Sequence, residues 1–475
     1  MRHSSARASL STRPTEGRVS VEGRRARVRA TLGVFIACCV AGLPTTSSAQ
    51  SLSLDRGRGR EMLKQIESDV RKLYYDPAFK GVDVDASFRN ARAQIDQAQS
   101  RGEVLAVVAQ PLLDLDDPHT RFVPPMRNNH VQYGWEMRMV GDACLVTAVR
   151  PGSDADRKGL TPGDRVVSVA GFTPDAANLW KIQHVMYSLW PQSVTTVVVQ
   201  SPDGTRPREL QIATSVRPLP HQYDLTDPEG DDYWQLVRES EREARPRTHR
   251  YLELGDDVLL WKMTGFDLRE DDFEMLMKKA RKRKSLVIDM RGNGGGAVRI
   301  LQDTIGRVFD RDVQVAELRN RKGKKPLVAK TSGKSAFAGE IVALVDSESA
   351  SAAEVFARVL QAEKRGRIVG ERTSGAVMQA EYRSYKMGAA AQIYYGAFVT
   401  TEDFVMADGT VLERHGVVPD ERVQPTAQDL REGRDPALAR ALEIAGFPTT
   451  PERPARSSRS SGRNRRLLDA PPGPL

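Results

Sequence analysis

A serine stands where a predicted strand passes into a predicted helix. The run from Ile341 to Val345 is apolar and of strand length, and apolar residues between Ala353 and Leu360 recur at helical spacing. Ser351 therefore lies at a helix N-terminus, where backbone N–H groups are unpaired and the helix dipole favours negative charge. A serine hydroxyl can act as a nucleophile there, because an oxyanion forming beside it would be stabilised.

The same serine also fits a purely structural role. The sequence Ser351-Ala352-Ala353-Glu354 matches a capping box, in which the serine hydroxyl accepts a hydrogen bond from the backbone N–H three residues later. Local sequence leaves both roles open, so the choice depends on the rest of the chain.

A glycine-rich motif offers backbone hydrogen-bond donors. Leu286 to Ile288 predict a buried strand, which residues 289–296 follow as a turn toward a helix. Consecutive glycines let a backbone approach a substrate closely and point N–H groups at it. The pattern Gly292-x-Gly294-x-x-Ala297 also matches a relaxed dinucleotide-binding fingerprint, but no repeating βαβ series surrounds it. No cofactor is predicted.

Several motifs together resemble the carboxyl-terminal processing peptidases, also called tail-specific proteases. They occur in the expected order as YYDPAFKGVDVDA (74–86), DDPHTRFVPP (116–125), SLVIDMRGNGGGA (285–297), SASAAE (349–354) and DGTVLERHGVVPD (408–420). The resemblance extends from about residue 60 to 425. Ser351 occupies the position of the middle serine in the family pattern Ser-Ala-Ser-Ala-Ser-Glu. The resemblance therefore implies that Ser351 is the nucleophile.

The chain departs from that family at the general base. Tail-specific proteases use a lysine 25 positions beyond the serine, and that position is Ala376 here. A Ser/Lys dyad at the family positions is therefore excluded, and Lys386, the nearest lysine downstream, is out of register. Because a serine hydroxyl is a poor nucleophile without an adjacent base, either another residue acts or the site is inactive.

A histidine-based relay replaces the lysine in the tricorn-like branch of the superfamily. Resemblance to that branch implies His119, in Asp-Pro-His-Thr, as the base and Glu413 as the group that orients it. An ordinary histidine pKa of about 6.5 suits proton transfer near neutral pH. His415 is an alternative base, and structural roles remain open: a loop position for His119, and pairing with Arg414 for Glu413.

The resemblance also implies an oxyanion hole with two backbone donors. One donor comes from Gly294 or Gly295 and the other from Ala352, directly after the nucleophile.

The segment 130–217 contains sequence signals for tight turns. Its turn signals include Pro162-Gly163-Asp164 and Asp203-Gly204, and it resembles a PDZ domain, a fold that adds a peptide as an extra strand and captures its C-terminal carboxylate. The resemblance implies Gly134 and Trp135 as peptide-binding residues. Trp135 and Glu136 are unusual neighbours for a carboxylate-binding loop, so the sequence leaves a preference for free C-termini open.

The N-terminal segment predicts a secreted protein. Eight arginines precede or flank an apolar run from Ala30 to Leu43, which is too short to span a membrane and is followed by Ser47-Ser48-Ala49. This pattern is typical of a signal peptide cleaved after Ala49 and favours a periplasmic or secreted location. Cys38 or Cys39 matches a lipid-acceptor site poorly, and only Cys144 would remain after cleavage.

The charge distribution argues against nucleic-acid binding, and the histidine spacing argues against a metal site. The formal net charge of +9 resides in the signal segment and in the Arg-, Ser- and Pro-rich tail from Pro451, so the body between them has no basic field for nucleic acid. The histidines are scattered without metal-ligand spacing, and no metal site is expected.

We therefore predict a multi-domain α/β protein. Its parts are a signal peptide (1–49), an N-terminal helical region (50–129), a PDZ-like β-rich domain (130–217), a ClpP/crotonase-like α/β peptidase core (218–425) and a C-terminal segment with a basic tail (426–475). The predicted function is a serine endopeptidase acting on polypeptides through an acyl-enzyme. The alternative is an inactive peptide-binding scaffold. The sequence leaves a homo-oligomer and an activating partner open.

Overall fold

The computed structural model describes residues 46–127, 129–204, 206–218, 249–388, 392–451 and 465–466. Most of the predicted signal peptide, residues 219–248 and most of the basic tail lie outside the described residues. Within the described part, no helix combines the length and the apolar character needed to cross a membrane.

Three helices form the N-terminal region: α1 (Thr46–Leu73), α2 (Val84–Ile95) and α3 (Arg101–Asp114). Side chains cap the second and third of these helices, since Asp83 accepts from Ala86 N–H and Ser100 accepts from Glu103 N–H. The helices bury a shared apolar core that includes Leu63, Ile66, Phe88, Val108 and Leu112. A short 3₁₀ turn, Phe79–Gly81, lies between α1 and α2.

A five-stranded antiparallel sheet occupies the segment predicted to be PDZ-like. Its strand order is β3 (Trp135–Val140), β4 (Ala143–Val149), β5 (Arg165–Val169), β6 (Val194–Gln200) and β7 (Arg208–Ala213). Strands β2 (Asn129–Gln132) and β8 (Ser215–Pro218) pair at the ends of this segment. Residues 179–189 form a helix with an α-helical half, Leu179–Gln183, and a π-helical half, His184–Leu189. A short helix, Asp154–Arg157, follows β4.

A mostly parallel sheet forms the centre of the second half of the chain. Parallel pairing joins β10 (Val258–Lys262), β11 (Ser285–Asp289), β14 (Glu340–Val345), β15 (Arg367–Gly370) and β18 (Glu421–Arg422), while β9 (Arg250–Leu254) and β19 (Arg465–Arg466) add antiparallel edges. Strands β11 and β14 are apolar and almost fully buried, as expected for parallel strands covered on both faces. The surrounding helices are Glu270–Ala280, Val298–Gly306, Ala352–Ala362, Ala427–Glu432 and Pro436–Ile444.

Another sheet connects the N-terminal helices to this core. Strand β17 (Ile393–Met406) pairs with β1 (Arg121–Val123), β12 (Val313–Asn320) and β16 (Met378–Met387), and β13 (Gly323–Ala329) pairs with β12. Tyr395, Ala397 and Val399 of β17 pack into the core of the N-terminal helices. Because β1 begins two residues after His119, this pairing fixes the histidine segment against the second half of the chain.

Candidate active site

Ser351 lies between strand β14 and the helix Ala352–Ala362, as predicted. Its backbone has φ 55° and ψ −120°, a conformation that side-chain-bearing residues rarely adopt. Such strain persists only where surrounding contacts enforce it, and it is concentrated at functional sites. The Ser351 N–H donates to Ala376 O at 2.8 Å, so position 376 lies directly beside the serine although it holds alanine rather than lysine.

The Glu354 side chain holds the serine turn in place through hydrogen bonds. Its fully buried carboxylate accepts hydrogen bonds from Ser351 N–H (3.1 Å), Gly375 N–H (2.7 Å), Ala376 N–H (2.9 Å) and the Thr373 hydroxyl (2.5 Å). Burial raises the pKa of Glu354 to about 7, against the opposing effect of these donors. The capping-box glutamate thus ties the serine to the segment 373–376, a role that the local motif alone did not indicate.

The glycine loop packs directly against the serine. Asn293 is fully buried, its backbone carbonyl accepts from Ala350 N–H at 2.9 Å, and its side-chain amide donates to Met263 O at 3.0 Å. At Gly295, which has φ 96°, a Cβ would lie 2.6 Å from the Ser351 Cβ. Only glycine therefore allows the loop to approach the serine this closely.

The predicted oxyanion donors differ in their hydrogen bonding. Gly295 N–H donates to the Asn293 side-chain oxygen at 2.9 Å. Among the described residues, Gly294 N–H and Ala352 N–H have no hydrogen-bond acceptor. Ala352 N lies 3.0 Å from the ideal Cβ position of Gly295, so the loop and the helix N-terminus meet at the serine. Of the two glycines, Gly294 has the N–H that is free to bind an oxyanion.

Replacing Gly295 with alanine is expected to reduce both stability and serine reactivity. The new methyl group would collide with Ser351 in a backbone conformation unfavourable for alanine, which should cost about 1–3 kcal/mol of unfolding free energy. Gly57→Ala on α1 is the control, because no atom lies within 4 Å of its added Cβ and it lies outside the glycine loop. Thermal unfolding and the rate of labelling by a serine-reactive probe would measure the difference. Equal behaviour of the two variants would contradict close packing of Gly295 on the serine.

His119 lies in the turn between α3 and β1. Its backbone N–H donates to the Asp117 carboxylate at 2.9 Å, and its Nδ1 is buried without a hydrogen-bond partner among the described residues. Burial is the main cause that lowers its pKa, to about 4; the charges of Arg121 and Lys80 act in the same direction, and Asp117 opposes them. The imidazole is therefore neutral at pH 7 and able to accept a proton.

Glu413 contacts the segment that lies beside the serine. Its Oε2 accepts from Val377 N–H at 2.8 Å, and its Oε1 lies 3.9 Å from Lys80 Nζ. Burial raises the Glu413 pKa to about 7. Its carboxylate makes no hydrogen bond to His119 in the described structure. Contacts thus lead from Ser351 through Ala376 and Val377 to Glu413.

The alternative roles raised by the sequence have different surroundings. His415 is exposed, and its Nδ1 lies 2.9 Å from Glu413 O. Arg414 pairs with Asp116 at 2.7 Å rather than with the Glu413 side chain. Lys386 lies exposed on β16. Lys80, which the sequence reasoning did not select, is the lysine that reaches Glu413, and no spacing rule distinguished it within its motif.

A groove of about 550 Å³ borders the five-stranded sheet. Both predicted peptide-binding residues, Gly134 and Trp135, line it, as do Glu136, Tyr187 of the π-helical turn, and Glu348 from the loop before the nucleophile. Burial raises the pKa of Glu348 to about 7. The groove therefore has walls from both the sheet and the loop that precedes Ser351. Among the described residues, no cluster of acidic, cysteine or histidine side chains suits a metal ion.

Comparison with known proteins identifies relatives of this architecture. Residues 257–423 match peptidase family S41. The chain is 24% identical over 283 residues to the tail-specific protease of Haemophilus influenzae, covering 56% of this chain and 38% of that protein. It is 25% identical over 399 residues to putative tricorn protease homolog 2 of Streptomyces coelicolor, covering 79% of this chain and 31% of that protein. The chain thus spans well under half the length of these two relatives.

A solved structure shows the same fold. The crystal structure of mature CPAF superposes with a TM-score of 0.60 at 16% sequence identity, covering 82% of this chain and 97% of that chain. The predicted resemblance to tail-specific and tricorn-like proteases is confirmed, and a match to this family supports a serine-type peptidase. Ser351 and Glu413 lie inside the matched segment and His119 precedes it. The match to peptidase family S41 therefore covers residues 257–423, which contain the parallel strands and the serine turn.

Proposed function

We propose that this protein is a serine endopeptidase whose nucleophile is Ser351. The observation that carries the proposal is the strained serine turn at a helix N-terminus, packed on Gly295. The adjacent residues Ala352 and Gly294 have backbone N–H groups without an acceptor among the described residues. These groups match what acyl transfer requires: a positioned hydroxyl and preorganised donors for the oxyanion.

In this mechanism His119 removes the proton from the Ser351 hydroxyl as the oxygen attacks a peptide carbonyl. The N–H groups of Ala352 and Gly294 hold the resulting oxyanion. The protonated imidazole then gives its proton to the leaving amine, and water hydrolyses the acyl-enzyme with His119 again acting as base. Glu413 orients the histidine, which requires the carboxylate to move from its contacts with Val377 and toward Nδ1.

The groove beside Gly134 gives the PDZ-like segment a role in presenting substrate. Its strand β3 has a helical wall opposite, the arrangement that lets a peptide add as a strand. Glu348 lines this groove and precedes Ser351 by three residues in the sequence. A polypeptide bound there would lie near the catalytic loop. We place the protein in the periplasm or outside the cell on the basis of its signal-like N-terminus.

Hydrolysis of an unstructured polypeptide tests this proposal. We expect the purified protein to cleave reduced, alkylated casein, and Ser351→Ala to bind without cleaving. A pair of peptides with a free or an amidated C-terminus would show whether the groove needs the carboxylate. The inactive-scaffold alternative rests on Ala376 and on the unbonded Nδ1 of His119. Peptide binding without turnover in the unmodified protein would favour it.

A further inference from the structure

Three buried polar atoms that lack hydrogen-bond partners within the described part of the chain belong to neighbouring side chains. They are Lys80 Nζ, His119 Nδ1 and Glu413 Oε1. Lys80 Nζ lies 3.9 Å from Glu413 Oε1, and the charge of Lys80 acts on His119. Buried polar atoms usually have partners, so a group of three on one site points to a functional arrangement.

The backbone around Lys80 is held in an unusual conformation. Phe79, Lys80 and Gly81 have φ values of 51°, 54° and 77°, all in the left-handed region. Two of these residues carry side chains, and each left-handed residue of that kind costs about 1–3 kcal/mol.

Contacts on both sides enforce this turn. The Asp76 carboxylate accepts hydrogen bonds from Ala78 N–H at 2.9 Å and from Lys80 N–H at 2.7 Å. The Arg321 guanidinium lies 5.5 Å from the centre of the Phe79 ring and donates to Tyr74 O at 2.6 Å. These contacts hold the strained turn in the conformation that places Lys80 Nζ near Glu413 Oε1.

We propose that Lys80 is a positioning residue of the active site, which holds the Glu413 carboxylate and supplies positive charge beside His119. This inference rests on the proposed serine-peptidase function. It places a lysine of the N-terminal helical region in the active site, where position 376 is alanine rather than lysine. Lys80 does not touch the reacting atoms in this scheme; it acts through the histidine and the glutamate.

Electrostatics support the assignment. Lys80 lowers the pKa of both His119 and Glu413. The other charged groups facing these two residues are Asp117, Arg121 and Glu354, and Lys80 also acts on Asp403. Removing the ammonium should therefore move the titration of His119 to higher pH, because its protonated form loses a repulsive neighbour.

The test compares Lys80→Met with Lys80→Arg, and uses Lys72→Met as a control that removes the same charge from an exposed position on α1. NMR titration of histidines labelled at Cε1, with His119→Gln for assignment, should show the His119 transition at higher pH in Lys80→Met alone. The value of kcat/KM should fall about 10- to 100-fold in Lys80→Met, with its acid limb displaced to higher pH, and recover in Lys80→Arg.

The outcomes separate this inference from the proposed function. An unchanged His119 titration in Lys80→Met would overturn the positioning role, whether or not the protein hydrolyses peptides. Failure of Lys80→Arg to restore activity, with the titration restored, would also overturn it, because arginine keeps the charge but cannot act as a base. Loss of hydrolysis in the unmodified protein would instead refute the proposed function.

Discussion

Replacing His119 with alanine should lower kcat/KM for peptide hydrolysis about 1,000-fold. A general base contributes roughly 10²- to 10⁴-fold in this kind of reaction, and the Ser351 hydroxyl has no lysine at position 376 to replace it. The imidazole is neutral at pH 7 because burial lowers its pKa, so it is in the form that accepts a proton. The remaining activity would come from the oxyanion donors and from substrate binding.

His415→Ala is the matched control for this prediction. The ring of His415 is exposed and its Nδ1 contacts the Glu413 carbonyl oxygen, so its removal should change kcat/KM by less than about threefold. Steady-state kinetics of both variants would decide the base. A large loss in His415→Ala with full activity in His119→Ala would reverse the assignment.

Replacing Glu354 with alanine should cost about 3 kcal/mol of unfolding free energy and most of the serine reactivity. The change leaves three backbone N–H groups and one hydroxyl without their common acceptor in a buried site. Those donors belong to the turn that carries Ser351 and to the segment that meets Glu413 through Val377. A loosened turn would lose the alignment that acylation needs.

Glu363→Ala provides the comparison for stability. Glu363 follows the same helix at its C-terminal end and pairs with Arg311 at the surface, so its removal should cost less than about 1 kcal/mol. Denaturant unfolding of both variants measures the difference. Equal stability of Glu354→Ala and the unmodified protein would show that the four hydrogen bonds do not hold the turn.

Local patterns in the sequence were sufficient for the elements around the nucleophile. The apolar run before Ser351 is strand β14, and the helical spacing after it corresponds to the helix Ala352–Ala362. The predicted strand at Leu286 to Ile288 lies within β11. These elements are long, apolar and strongly periodic, so burial and hydrogen bonding give each segment one favourable state.

Long-range contacts were less accessible to sequence reasoning. Lys80 and Glu413 are separated by more than 300 positions, and their segments meet through tertiary contacts such as the pairing of β17 with β1 and the packing of the N-terminal helices. The left-handed turn at Lys80 has no glycine at its first two positions, so the residue types there did not predict a left-handed conformation. Glu354 was visible as a cap, but its contacts with the segment 373–376 depend on tertiary packing.

The most direct measurement is to locate the residue that reacts with a fluorophosphonate probe. Peptide mapping by mass spectrometry after incubation at about pH 8 should find one phosphonylated residue, Ser351, since only an activated serine reacts at an appreciable rate. Folded Ser351→Ala, verified by circular dichroism, should remain unmodified. An adduct on another residue, or a folded protein that cleaves polypeptide with Ser351 replaced, would contradict the assignment of Ser351 as the nucleophile.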